Sequence, residues 1–247
     1  MPDTRTRRGP HPKDRELFSA RWHPVLRAAV EELSWLLTKG YSNKASVKLV
    51  GDRYKLRERQ RKALQRCAAS DQACLDRRAK KTPLSQLDGS TVVVDGYNVL
   101  LTIEAALCGG LLLLARDGVL RDLTAMSAHY RRIEATVKAV KLLADFFTDR
   151  GCVQVIWYLD RPISNSGRLK RLILETVSGR VTPWRVDLTD RTDTLLIKSP
   201  HVVASADSVV IDGCHRWLNL ARAIVDLAIP DAWVVDMETQ AESQRPM

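Results

Sequence analysis

Apolar positions in the first third of the chain recur at steps of three and four. Val25, Leu26, Ala29, Val30, Leu33, Leu36 and Leu37 do so from about Arg21 onward, which draws one face of a helix that Gly40 ends. Ser42 is placed to cap a second, short helix carrying Ala45, Val47, Leu49 and Val50, broken at Gly51–Asp52. The stretch "KLRERQRKALQRCAAS" predicts a third helix with Leu56, Leu64 and Cys67 inside. A short helix, a Gly turn and a basic helix are loosely arranged like a helix-turn-helix; the pattern supports a compact helical module with a basic surface. Residues 1–15 lack apolar periodicity and read as a disordered basic tail, residues 16–80 as the helical module, and residues 81–89 as a linker ending in the turn signal Asp88–Gly89.

After the linker the period changes. Apolar runs rich in β-branched residues occupy 90–96, 152–160, 183–188, 201–207 and 232–237, and helical patterns lie between them at 124–149, 166–179, 190–199 and 214–227. Continuous rather than alternating apolar strands imply burial on both faces. The expected fold class is therefore α/β: a three-layer α/β/α domain over residues 90–240, with a central, mostly parallel sheet of about five strands, preceded by the helical module. Asp117–Gly118, flanked by apolar residues, predicts a hairpin or flap inserted between the first strand and the long helix.

Composition adds one thing that the pattern lacks. The net charge is +10, and residues 1–85 hold 21 Lys and Arg against 9 Asp and Glu, a net +12. The rest of the chain is close to neutral. A basic segment joined to a neutral one suggests a polyanion-binding module, with Lys44, Lys48, Arg53, Arg57, Arg61 and Lys62 as candidate contacts to nucleic acid. Hydrophobic content of 45% with 28% charged residues excludes disorder. The longest apolar run, "VLLTIEAALCGGLLLLA", is interrupted by Glu104 and Gly109–Gly110, so no membrane span is expected. The basic N-terminus is followed by no apolar signal segment, and five scattered cysteines form no CxxC pair; both point to a cytoplasmic protein with reduced thiols.

The candidate chemistry sits at strand ends. Asp95, Asp160 and Asp207 each close a predicted strand, and Asp193 lies in the first turn of a helix. In parallel sheets ligands bind beyond the carboxyl ends of the strands. Carboxylates gathered there repel one another unless a cation joins them, and oxygen-only donors select Mg²⁺ or Mn²⁺. Such an ion can activate water against a phosphodiester. Each aspartate could equally be the N-cap of the following helix. Gly96, directly after Asp95, is expected to let the backbone turn and to leave room for a ligand.

Three segments carry a resemblance. "VVVDGYNVL" looks like the opening strand of PIN-like nucleases, in particular the NYN branch; "VIWYLD" resembles the second acidic strand of that branch; and "TDRTDTLLIKSPHVVASADSVVID" is similar to its segment of D-x-x-I/L, then a strand, then T/S-x-D. The resemblance covers roughly residues 88–238. The basic segment "YSNKASVKLVGDRYKLRERQRKAL" resembles a small module that precedes such a domain in a family of uncharacterised prokaryotic proteins. The resemblance implies Asp95, Asp160, Asp193 and Asp207 as ligands of Mg²⁺ or Mn²⁺, Asn98 as a residue that orients Asp95 or meets a phosphate, and pairing of domains into a homodimer. The third position reads Asp190-Arg191-Thr192-Asp193; Asp193 is favoured because Leu196 and Ile197 fix the buried face beside it.

Other candidates remain open. Ser164, Asn165 and Arg168 either hold a phosphate at a helix start or, with Ser166, only cap it. Glu104 reaches the site or is an exposed helix charge. His129, His201 and His215 build no triad, and neither a P-loop nor a dinucleotide fingerprint is present. Trp157, Trp184, Trp217 and Trp233 fall in strand or helix patterns and are assigned to the core. The leading expectation is a metal-dependent nuclease with RNA favoured over DNA. The others are a nucleic-acid-binding protein with an inactive domain of that type, and a phosphatase on the same sheet.

Overall fold

The computed structural model describes residues 9–123 and 134–238. The expected helix 124–149 therefore starts for us at Glu134; its first ten residues, His129 and residues 1–8 of the basic tail lie outside the described residues. In chain order the elements are α1 (Asp14–Leu17), α2 (His23–Thr38), α3 (Asn43–Arg53), α4 (Glu58–Cys67), α5 (Asp71–Lys80), β1 (Thr91–Asp95), α6 (Gly96–Leu107), β2 (Leu112–Leu114), β3 (Leu120–Asp122), α7 (Glu134–Asp149), β4 (Gln154–Asp160), α8 (Ser166–Thr176), β5 (Trp184–Thr189), α9 (Thr192–Ile197), β6 (Val202–Ala204), α10 (Ser208–Gly213), β7 (Trp217–Leu218), α11 (Leu220–Ala228) and β8 (Val234–Asp236).

The class is α/β, as the pattern predicts. Five parallel strands form the main sheet in the order β5-β4-β1-β6-β7. Side chains alternate faces along β1, so Val92 and Val94 enter one core while Val93 enters another. The first core packs Leu100 and Ile103 of α6, Phe147 of α7, Ile173 of α8 and Ile224 of α11. On the opposite face Leu196 of α9 and Val210 and Ile211 of α10 meet Val93, Ile156 and Val203. These are the three expected layers.

Membership of the sheet differs from expectation. The fifth strand is the two-residue β7, inside a stretch read as helix 214–227. The run at 232–237 does form a strand, β8, but it joins a second sheet of order β3-β2-β8. That sheet contains the expected hairpin, with β2 and β3 antiparallel and Gly118 in the left-handed region at φ 72°. Its two faces serve different neighbours. Leu111 and Leu113 share a core with Leu26 and Leu33 of α2 and Leu64 of α4, whereas Leu112 and Leu120 pack on Ala105 and Ala106 of α6. The small sheet is thus a layer between the N-terminal helices and the α/β unit.

The N-terminal region is more ordered than its sequence suggests. Asp14, within the expected disordered tail, is fully buried and held bidentately by Arg59, and its Oδ2 also accepts from the His11 amide. Both carboxylate oxygens of Asp14 are thus engaged, and the ion pair ties α1 to α4. Helix α3 does not break at Gly51–Asp52 but runs through to Arg53, and Gly51 makes room for the Arg61 side chain: a Cβ there would stand 2.6 Å from an Arg61 guanidinium nitrogen. Helix α5 lies at the end of the helical module, where the apolar pattern assigned no helix. Residues 81–89 are not a loose tether either: Thr82 donates to the Trp217 carbonyl at 2.7 Å, and Leu87 is buried in the main core. Among the described residues no helix is long and apolar enough to cross a membrane.

Candidate active site

The strand order reverses direction beside β1. From β1 the chain moves outward through β4 to β5, then returns to the other side of β1 as β6 and continues to β7. In such sheets the ligand crevice lies beyond the carboxyl ends of the strands at the switch point, here between β1 and β6. Asp95 closes β1 there, and the loop Ser205-Ala206-Asp207 follows β6.

Asp95 stands at the N-cap position of α6, yet its side chain makes no capping bond. Only 7% of the residue is exposed. Its Oδ2 accepts a 2.7 Å hydrogen bond from the Ser205 hydroxyl, whose oxygen in turn accepts from the Asp207 amide at 3.0 Å. Burial is the main force raising the Asp95 carboxyl, to about 7; Ser205 opposes it, and Asp207, Asp160 and Asp193 add to it. Among the described residues, the charged groups that act on Asp95 most strongly are thus carboxylates. Asp193 is raised too, by burial first and then by Asp207 and Asp160. Asp95 and Asp193 are thus both coupled to Asp160 and Asp207 by like charge.

Asp207 also fills the blander role. Its Oδ1 caps α10, accepting from Val209 at 2.8 Å and Val210 at 3.4 Å. Asp190 points elsewhere, 3.6 Å from Arg161 and exposed, which leaves Asp193 as the acid of that pair coupled to the site.

Asn98 does something the sequence reading did not foresee. Its Oδ1 accepts from the Ala206 amide at 2.8 Å, so it ties α6 to the loop that carries Ser205 and Asp207. Gly96 is the clearest correction. Its φ is not in the left-handed region, and no ligand space lies beside it. A Cβ there would stand 1.9 Å from Trp157 Nε1 and 2.5 Å from the Tyr158 carbonyl oxygen. Glycine is needed so that α6 can close on β4.

The serine-rich loop caps less than expected. Asn165 is the N-cap of α8, in the left-handed region at φ 70°, without a side-chain capping bond, and Ser166 Oγ bonds back to the Arg161 carbonyl at 3.4 Å. Arg168 is exposed and 3.5 Å from Asn165 Oδ1; Ser164 is half-buried. Glu104 is neither exposed nor in the crevice: it is fully buried and accepts from Thr136 at 2.5 Å. Trp157 and Trp217 are core residues as expected, and Trp184 stacks on Trp157 at 5.5 Å.

Two contributors were missed. Ser205 had a signal, the Ser-x-Asp spacing ahead of α10. Arg121 had none. From β3 it donates to the Ala206 carbonyl at 3.0 Å and is bound twice by Asp117, at 2.7 and 2.8 Å. Asp117 is bound again by Arg77 of α5, which also grips Asp212 of α10 through two bonds. Burial opposes the charge of Asp117, but Arg121 and Arg77 outweigh it and hold the carboxyl below the usual range. The contrast with Asp95 is direct: one buried acid is neutralised by arginines, the other faces three more acids.

The donor chemistry of the crevice, carboxylate oxygens in mutual repulsion, suits a hard divalent cation. As the side chains stand, no three His, Cys, Asp or Glu among the described residues form a group that could hold one.

Residues 84–223 of the 247 match a family described as a domain of unknown function, DUF5616. The chain belongs to the DUF5616 family. The DUF5616 span holds all four aspartates and the whole main sheet. Residues 25–80 match a second family, described as a protein of unknown function, DUF434, and this span holds the basic candidates from Lys44 to Lys62. A curated relative, Uncharacterized protein MJ0935 of Methanocaldococcus jannaschii, is 31% identical over 186 residues, which covers 75% of this chain and 88% of its own. No solved structure matches. Neither family description names a nuclease or a PIN-like domain.

Proposed function

We propose that the protein is a metal-dependent nuclease of the PIN-like, NYN-type kind, acting on RNA in the cytoplasm with Mg²⁺ or Mn²⁺. One observation carries the reading: Asp95, buried at the switch point of a parallel sheet, is acted on by the carboxylates Asp207, Asp160 and Asp193. The sequence resemblance points to the same four residues. A bound divalent cation supplies Lewis-acid polarisation of the phosphodiester and a more acidic water.

The chain's own part is to hold the carboxylates. Ser205 fixes one oxygen of Asp95, Asn98 and Arg121 fix the loop on which Ser205 and Asp207 ride, and Asp207 keeps one oxygen on the α10 cap. The exposed Lys44, Lys48 and Arg57 of the basic region are suited to the phosphate backbone.

The test is cleavage of labelled single-stranded RNA with Mn²⁺ or Mg²⁺, with and without chelator, by the wild type and by Asp95→Asn. Chelator-sensitive cleavage that the variant loses supports the reading; equal cleavage by both overturns it. A second reading, a nucleic-acid-binding protein without turnover, is favoured by the absence of a ready-made metal group among the described residues. Calorimetric titration with Mn²⁺ separates the two, since the second reading predicts no heat of binding while RNA still binds.

A further inference from the structure

Two buried arginines stand behind the crevice, and their bonds end on the segment that carries Asp207. Arg77 and Arg121 flank Asp117, and all three side chains are 6% exposed or less. Asp212 closes the group, held by Arg77 through bonds of 2.6 and 2.7 Å. Two arginines stand against two aspartates, so the group has no net charge and acts on its surroundings through its bonds.

Those bonds bracket Asp207. Arg121 Nε donates to the carbonyl of Ala206, the residue directly before it, at 3.0 Å. Arg77 grips Asp212 at the far end of α10, the helix that Asp207 caps. Lys80, one turn after Arg77 on α5, donates to the Ile211 and Asp212 carbonyls at 2.8 and 2.7 Å. Helix α5 is itself fastened to the main sheet, because Trp217 of β7, 1% exposed, donates from Nε1 to the Arg77 carbonyl at 2.6 Å. Stability alone accounts poorly for this arrangement. Taking charges out of water costs much of what their attraction returns, and apolar residues of like volume often serve as well. What an apolar core does not supply is direction: hydrogen bonds fix where a backbone segment lies and how it is turned. Groups that orient a ligating carboxylate govern how tightly its site takes an ion.

We infer that Arg121, Arg77 and Lys80 are positioning residues for divalent-cation binding at the crevice: they hold the Ala206–Asp207 segment and α10 in the place from which Asp207 faces the other acids. This rests on the proposed metal site and adds where its support comes from. Arg77 and Lys80 belong to the DUF434 span, whereas all four carboxylates lie in the DUF5616 span. One family segment thus completes the site of the other.

The test is calorimetric titration of Mn²⁺ into the full chain, at a temperature where circular dichroism shows each protein fully folded. Arg121→Lys keeps a cation beside Asp117 and gives up the bond to the Ala206 carbonyl. Lys80→Ala, at a half-buried position, frees the end of α10 and leaves the buried charges alone. Each is expected to weaken Mn²⁺ binding by about ten-fold. Val30→Ala, in the N-terminal core, is the comparison. It lowers stability without touching the group and should keep the wild-type affinity, which a merely structural role for the group would also predict for the other two. Wild-type affinity in both Arg121→Lys and Lys80→Ala overturns the positioning role and leaves the nuclease reading standing. An equal loss in Val30→Ala overturns it as well, since lost stability would then account for the effect. If Arg121→Lys does not fold, Lys80→Ala decides alone. A wild type that binds no Mn²⁺ overturns the metal site and the positioning role together.

Discussion

Asp95 shows what a single carboxylate costs and why the cost is kept. Its ordinary value in an unfolded chain is about 3.9, and burial with three acidic neighbours takes it to about 7 in the fold. Below about pH 4 both forms are protonated and the shift has no effect on stability. Between about 4 and 7 the unfolded chain has released a proton that the folded chain still holds, so stability falls as pH rises, by on the order of 4 kcal/mol for this group. Urea unfolding in chelator from pH 4.5 to 8 should show that fall in the wild type. It should be much smaller in Asp95→Asn, which keeps an acceptor for Ser205; parallel profiles would refute the raised carboxyl. Gly96 makes a sterically sharper prediction. With the Tyr158 carbonyl 2.5 Å from the site of a new Cβ, Gly96→Ala must move α6 off β4, at a cost of about 1–3 kcal/mol, read as a lower urea midpoint. The sequence made the position of Asp95 legible, because an apolar run that ends in an acid is a local signal. It misled about Gly96, because the ring that fills the space comes from Trp157, far along the chain.

Short elements are where sequence pattern fails and long-range bonds decide. Helix α10 has six residues and could not persist alone. Its start is capped by Asp207. Its last carbonyls, of Ile211 and Asp212, accept from Lys80 of α5 at 2.8 and 2.7 Å. Asp212 is gripped by Arg77, and Arg77 leads through Asp117 to Arg121 and back to the Ala206 carbonyl beside Asp207. The proposed site is thus held from behind by the N-terminal region. Arg121→Ala takes one of two arginines from buried Asp117 and uncovers the Ala206 carbonyl, so it should cost about 1–3 kcal/mol in urea unfolding; no measurable loss would show the network to be incidental. None of this was readable from spacing. Arg77 sits in the part of the helical module to which no helix was assigned and Arg121 in the segment read as hairpin, and β7, two residues long, has no period to detect. The run at 232–237 announced a strand but could not say which sheet it would join. The hairpin was legible because Asp117–Gly118 names its own turn.

At the scale of the molecule, the basic third and the α/β unit share a core through the small sheet, although two family matches divide the chain near residue 80. Charge asymmetry was legible by counting, but counting does not show which charges are free to act. Arg61 is spent internally, on the Leu56 carbonyl at 2.8 Å, the Lys48 carbonyl at 3.3 Å and Asp52. Arg53 pairs with Glu32, and Lys62 with Glu58 at 2.8 Å. Lys44 and Lys48 are exposed on α3. The two kinds of basic residue should therefore separate experimentally. Arg61→Ala should lower stability by about 1–3 kcal/mol, since it uncovers backbone carbonyls and a carboxylate. Lys44→Ala and Lys48→Ala should leave the urea midpoint in place and act on binding. Each phosphate contact to a single strand adds about 0.7 to the slope of log affinity against log salt, because a condensed counterion is released. Measured between low and physiological salt, the double variant should lose roughly 1.4 from the wild-type slope. Arg61→Ala should keep the wild-type slope wherever it is folded. If the lysine variants leave the slope unchanged, the positive face of α3 is only a solvated surface, and the phosphate backbone is held elsewhere on the chain.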